Sequence, residues 1–100
     1  MTALETDPTL CIATPADLNA SNVGAFREQA RASLDGEHTR IDVDMSQTTF
    51  VDSSGLGALI SLHKMMTARG GSVRLLHPMQ PVLQLIELTR MHRIFEIIRH

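Results

Sequence analysis

Two adjacent serines and two glycines form the segment of the chain best suited to chemistry. Asp52, Ser53 and Ser54 precede Gly55, and Gly57 follows two residues later. A hydroxyl placed between a carboxylate and small residues can cap a helix, accept a phosphate or attack an electrophile. The neighbouring residues distinguish among these three kinds of chemistry.

A catalytic serine is not supported by its surroundings. The Gly-x-Ser-x-Gly pattern of hydrolases is missing, because Val51 stands two residues before Ser53 and Asp52 stands two residues before Ser54. No histidine is marked out as the base that such a serine needs. We therefore predict no enzymatic activity and no catalytic residue.

Cofactor and metal sites are also not predicted. The run Gly55-Leu56-Gly57 lacks both the lysine pattern of a phosphate-binding loop and the dinucleotide fingerprint. The histidines show no metal-ligand spacing with cysteine, aspartate or glutamate. They are His38, His63, His77, His92 and His100. We interpret them as surface or structural residues.

Helix capping and phosphorylation both remain open for the serine pair. Either Ser53 or Ser54 can cap a helix that begins here, and the free amides around Gly55 carry the positive end of the helix dipole. On local physics alone the plain N-cap is favoured. A phosphate on Ser53 would add about −1.5 to −2 charges beside Asp52 and near Asp44, combining helix-end stabilisation with repulsion of an acidic partner.

The elements around this segment predict an α/β fold. Residues 40–45 alternate between two faces. Ile41, Val43 and Met45 lie on one face, and Asp42 and Asp44 lie on the other, where we expect Asp42 to be a solvated charge. Further strands are predicted at residues 10–14, 73–76 and 94–98, and helices at 19–34, from about 53 to 70, and at 81–88. Crossover units of this kind build a parallel sheet whose functional crevice lies beyond the carboxyl ends of the strands.

Length and composition limit the remaining possibilities. We expect one domain over residues 1–100, with a formal charge of −2 and a pI near 6.2 that give no basic field for nucleic acid. Cys11 is the single cysteine. With no signal peptide and no apolar run of spanning length, we predict a cytoplasmic protein without membrane insertion.

Two runs of residues resemble the signature of the STAS domain family. They are Ile-Asp-Val-Asp-Met-Ser at 41–46 and Phe-Val-Asp-Ser-Ser-Gly-Leu-Gly at 50–57, and residues 70–76, 81–88 and 94–95 are similar to that family in order and spacing. The resemblance implies a mixed, largely parallel sheet of four or five strands packed by helices. It also implies an anti-sigma-factor antagonist without catalysis.

The resemblance further implies a partner-switching mechanism. Ser53 matches the phosphorylated serine of the family, the partner is an anti-sigma factor that is also a serine kinase, and a PP2C-type phosphatase resets the switch. Asp44, Asp52, Ser54 as helix cap, and Gly55 would surround the site. Where the family has Gly-x-Leu-Asp, this chain has Ala-Asp-Leu-Asn at 16–19, which places the neutral amide of Asn19 near Ser53.

The partner surface implied by the resemblance is the start of the second long helix. Leu56 and Gly57 are its candidate contacts, with the loop at 46–49; Leu56 is equally compatible with core packing. Met65 and Met66 suit an adaptable interface but are more typical of a core. The alternative function is a non-phosphorylated STAS subunit of an ABC-type lipid transporter or larger signalling complex, in which Asn19 reflects a lost switch.

Overall fold

The computed structural model describes residues 8–99, which form six strands and three α-helices. In chain order they are β1 (Thr9–Ala13), β2 (Asp17–Leu18), α1 (Val23–Ser33), β3 (Arg40–Asp44), β4 (Phe50–Val51), α2 (Ser53–Ala68), β5 (Ser72–Leu76), α3 (Gln80–Leu88), a 3-10 turn (Met91–Arg93) and β6 (Glu96–Ile98). The predicted α/β class is confirmed, with the helices packed against a central sheet.

The central sheet has four parallel strands in the order β1-β3-β5-β6. Its register places Ile12, Val43, Leu75 and Ile97 in one row across the strands. Val43 and Leu75 are fully buried, because this face packs against the helices. Periodicity gave the strands but not their order, which depends on contacts between distant residues.

A second, two-stranded sheet positions the serine segment. Strands β2 and β4 are two residues each and pair in parallel, Asp17 with Phe50 and Leu18 with Val51. Leu18 and Val51 are buried, whereas Asp17 and Phe50 are exposed. This pairing brings the segment that leads into α1 close to the residues that lead into α2.

Asp42 is not the solvated charge that the alternation predicted. The parallel register places Arg74 directly opposite it, and the Nε and Nη2 atoms of Arg74 donate to its two carboxylate oxygens at 2.8 and 2.7 Å. Arg40 Nε lies 3.7 Å from the same carboxylate. The hydrogen bonds from Arg74 lower the pKa of Asp42, against the opposing effect of burial.

The predicted final strand at residues 94–98 is too long. The amides of Ile94 and Phe95 both donate to the carbonyl of Met91, so the backbone there closes a turn. Phe95 is buried, with its ring centroid 5.5 Å from that of His63 in an edge-on arrangement. Strand β6 therefore begins at Glu96.

Helix α2, the longest, has 16 residues, and within residues 8–99 no helix is long and apolar enough to span a membrane.

Candidate functional site

Asp52, and neither serine, caps helix α2. Its backbone is extended, and its Oδ1 atom accepts a hydrogen bond from the amide of Gly55 at 2.9 Å. The backbone carbonyl of Asp52 accepts from the amide of Leu56 at 3.0 Å. The prediction that Ser54 is the cap is therefore wrong: aspartate is as strong a capping residue as serine, and it comes one residue before the helix begins.

The two serines occupy the first two positions inside helix α2. Ser53 is exposed and Ser54 is half-buried. Within residues 8–99 no acceptor binds the backbone amide of either serine, because these amides precede the first intrahelical hydrogen bond. The positive end of the helix dipole therefore coincides with the exposed Ser53 hydroxyl.

The second carboxylate oxygen of Asp52 joins this helix start to the loop before α1. Oδ2 accepts a hydrogen bond from the amide of Ala20 at 3.2 Å. The amide of Asp52 itself donates to the carbonyl of Leu18 at 3.1 Å. Asp52 thus connects the end of β2, the following loop and the start of α2.

Asn19 lies in that loop, but its side chain makes a local turn. Its Oδ1 atom accepts from the amide and the hydroxyl of Ser21, at 2.9 and 2.6 Å. The amide of Asn19 donates to Asn22 Oδ1 at 2.9 Å. The residue that reaches the capping carboxylate is Ala20, through its backbone, and no side-chain pattern in the sequence indicates that contact.

Gly55 is required by a close approach between helix α2 and strand β2. A Cβ atom at this position would lie 2.6 Å from the carbonyl oxygen of Leu18 and 2.7 Å from Val51 Cγ1. Gly57 differs, because a Cβ there would meet no atom within 4 Å. Gly57 is exposed, while Leu56 is half-buried and packs partly against the core.

Asp44 lies at the carboxyl end of β3, the edge of the sheet at which α2 begins. It is half-buried, and its Oδ1 atom accepts from the amide of Ser46 at 2.9 Å. The following loop is anchored by Thr48, which is fully buried and donates to the carbonyl of Pro15 at 2.8 Å. Thr48 also forms a hydroxyl–hydroxyl hydrogen bond with Thr14.

Phe50 is an exposed aromatic residue beside this site that the sequence prediction did not single out. It is 52% exposed, two residues before the capping Asp52. In a two-residue strand only one side chain can face the core, and Val51 occupies that position. Phe50, Ser53 and Gly57 are the exposed residues along this stretch that are available to a partner.

The described residues contain no cluster suited to a metal ion. Within positions 8–99 no three histidine, cysteine, aspartate or glutamate residues come together as ligands. The chemistry that the segment offers is that of an exposed hydroxyl, two free amides and a neighbouring carboxylate whose two oxygens are already engaged.

Solved structures of the same fold include anti-sigma factor antagonists. The chain is similar to the crystal structure of TM1081 from Thermotoga maritima, assigned as an anti-sigma factor antagonist, with 25% identity and a TM-score of 0.84 over 95% of this chain and 82% of that one. It also resembles the anti-sigma factor antagonist SpoIIAA in its unphosphorylated form, with 21% identity and a TM-score of 0.73 over 98% and 86% of the two chains.

Phosphorylated SpoIIAA, a Bacillus cell fate determinant, has the same fold as well. Its identity to this chain is 21% and its TM-score 0.71, over 98% of this chain and 89% of that one. At this identity the two SpoIIAA structures show the fold alone. The STAS domain model matches residues 1–100, and the chain therefore belongs to the STAS domain family.

Proposed function

We propose that this protein is an anti-sigma-factor antagonist that acts by phosphorylation-controlled partner switching, with Ser53 as the phosphoacceptor. The observation that carries the proposal is the exposure of Ser53 at the first position of α2, where two backbone amides have no acceptor within residues 8–99. Membership of the STAS family and the likeness to an assigned antagonist support the same role.

The local geometry can accept a phosphate without a change of fold. Anions at a helix N-terminus are stabilised by the free amides and the dipole. Asp52 is already held by the amides of Gly55 and Ala20, so the helix cap does not depend on the Ser53 hydroxyl. The added charge of about −1.5 to −2 therefore acts on the surface rather than on the core.

The surface next to Ser53 suits a partner that approaches the start of α2 closely. Phe50 offers an exposed apolar ring, and Gly57 leaves open space one turn along the helix. A phosphate between these contacts would have to be desolvated on binding and would repel carboxylates of the partner. Phosphorylation on Ser53 would thereby end the complex.

The partners follow from this role. We propose a bacterial anti-sigma factor with serine kinase activity as the binding partner, and a PP2C-type phosphatase as the enzyme that removes the phosphate. The chain itself acts as a cytoplasmic, non-enzymatic binding module formed by a single domain.

The proposal is tested by phosphate incorporation. The protein is mixed with ATP and with the kinase-like anti-sigma factors encoded next to its gene, and intact mass is measured for the unmodified chain, Ser53→Ala and Ser54→Ala. The two serines are adjacent at the helix start, so Ser54→Ala is a closely matched control. We expect one phosphate on the unmodified chain and on Ser54→Ala, and none on Ser53→Ala.

The opposite result separates the two functions considered for the chain. If an active kinase binds the protein but transfers no phosphate, the switch is wrong and the domain is a constitutive STAS subunit. Loss of phosphate in Ser54→Ala alone would move the acceptor to Ser54.

A further inference from the structure

Two arginines on helix α1 form a basic pair away from the serine segment. Arg27 and Arg31 are both exposed and lie four residues apart, so their side chains are neighbours on one face of the helix. They follow directly after Phe26 and Ala30, which are buried against the core. Among the described residues neither arginine forms an ion pair or a hydrogen bond through its side chain.

The basic pair lines a groove between helices α1 and α2. The groove measures about 200 Å³, and its other lining residues are Ser61, Leu62 and Met65. Leu62 is buried and Met65 is half-buried, so Met65 provides the accessible apolar contact beside the two guanidinium groups. Met66, by contrast, is fully buried, so only the first of the two adjacent methionines is available to an interface.

The two helices carry positive charge in a chain that is acidic as a whole. Helices α1 and α2 contain Arg27, Arg31 and Lys64 against one carboxylate, that of Glu28. Their surplus of two positive charges contrasts with the formal net charge of −2 for the whole chain. A local basic surface on an acidic protein attracts an acidic ligand. The negative charge of the rest of the chain disfavours binding of that ligand elsewhere on the protein.

The small volume of the groove favours a protein segment over a drug-sized small molecule. Pockets for small ligands usually measure about 300–1,000 Å³, more than this open groove provides. Two guanidinium groups one helical turn apart match two carboxylates with the same spacing on a partner helix, and each can bind a carboxylate through two hydrogen bonds. An apolar residue beside those carboxylates would contact Met65.

We infer that this groove binds an acidic helical segment of a partner protein, one that presents two aspartate or glutamate residues one turn apart to Arg27 and Arg31. Ser61 lies eight residues after Ser53, which corresponds to about 12 Å along the helix axis. The groove is therefore separate from the proposed phosphorylation site, and it can hold its segment in either phosphorylation state.

The test uses NMR titration of the isotope-labelled full chain at low salt. The probe is a capped, alanine-rich helical peptide with two glutamates four residues apart, compared with the same peptide carrying glutamines. We expect the glutamate peptide to shift the amide signals of Arg27, Arg31, Ser61 and Met65. The double variant Arg27→Gln/Arg31→Gln should weaken this binding by roughly tenfold or more, since both charge-assisted contacts are lost.

Arg93→Gln is the matched control, because Arg93 is also exposed and lies in the 3-10 turn outside the groove. It should bind the glutamate peptide as the unmodified chain does, and thermal unfolding checks that each variant is folded. The inference is overturned if the glutamate peptide does not bind, if the glutamine peptide binds equally well, or if the shifts lie elsewhere. If inorganic phosphate binds in the groove more tightly than the glutamate peptide does, the inference is overturned in favour of a small-anion site.

Discussion

The carboxylate of Asp52 accepts a hydrogen bond from the backbone amide of Ala20 at 3.2 Å, across 32 residues of chain. Its other oxygen accepts from the amide of Gly55 at 2.9 Å and caps helix α2. One side chain therefore holds both the helix that begins with Ser53 and the loop that leads into α1. The position of the Ser53 hydroxyl relative to that loop depends on this carboxylate.

Replacing Asp52 separates the two contacts of its side chain. Asp52→Ala removes both hydrogen bonds and should lower the free energy of unfolding by about 0.5–2 kcal/mol, the range measured for lost helix caps. Asp52→Asn keeps one oxygen for the Gly55 amide, and asparagine is a strong cap. The loss of unfolding free energy for Asp52→Asn should be about half as large, because only the contact with Ala20 is lost.

Urea unfolding of the two Asp52 variants measures these costs. A cost for Asp52→Asn equal to that for Asp52→Ala would show that the neutral amide does not preserve the cap. If Asp52→Asn is as stable as the unmodified chain, the contact with Ala20 contributes nothing to stability.

The two glycines of the serine segment should respond in opposite directions to alanine. Gly55→Ala forces a Cβ atom to within 2.6 Å of the Leu18 carbonyl oxygen and should cost about 1–3 kcal/mol, as overpacking of a core does. A Cβ atom at position 57 would have no neighbour within 4 Å. Gly57→Ala should therefore stabilise the protein by about 0.5–1 kcal/mol, because alanine is favoured over glycine inside a helix. Denaturant unfolding of both variants provides the comparison.

The Gly57→Ala variant also tests the partner surface. If the start of α2 is the interface, Gly57→Ala should weaken binding to the anti-sigma factor while raising stability, because the added methyl group occupies space that the partner approaches. Unchanged affinity for the stabilised Gly57→Ala variant would place the interface elsewhere.

Periodicity predicted the order of the helices and strands of the central sheet, but the buried face that it predicted for α2 is too broad. Its spacing places Leu56, Leu59, Ile60, His63 and Met66 on one stripe, which Ala58, Leu62 and Met65 widen. The buried residues of α2 are Gly55, Ala58, Leu59, Leu62 and Met66. Helix α2 is apolar around most of its circumference, so its sequence alone does not fix which face packs inward. The contact of Gly55 with β2 decides the rotation.

The site itself could be predicted only in part. The segment at 52–57 indicated a helix start beyond a strand end, which the structure confirms. The cap was assigned to serine because the sequence does not show which residue is the last with an extended backbone. The contact with Ala20 depends on the pairing of β2 with β4, and strands of two residues are too short for any propensity to indicate.

Arg74 should make stability depend on pH through Asp42. The guanidinium group donates two hydrogen bonds to the buried carboxylate and lowers its pKa below the ordinary 3.8. A carboxylate with a lowered pKa in the folded state contributes stability above its unfolded pKa, and this contribution is lost as the pH falls through the folded value. Arg74→Met should therefore cost about 1–3 kcal/mol near neutral pH, since it leaves that carboxylate without its main partner.

The pH series distinguishes this electrostatic role from simple packing. Urea unfolding of the unmodified chain and Arg74→Met between pH 7 and pH 2 should give two curves that approach each other as the pH falls, because protonation of Asp42 removes the carboxylate that Arg74 stabilises. Arg93→Met, which changes an exposed arginine in the 3-10 turn, should follow the unmodified chain throughout. A difference between Arg74→Met and the unmodified chain that stays constant with pH would instead assign the contribution of Arg74 to its aliphatic contacts across the sheet.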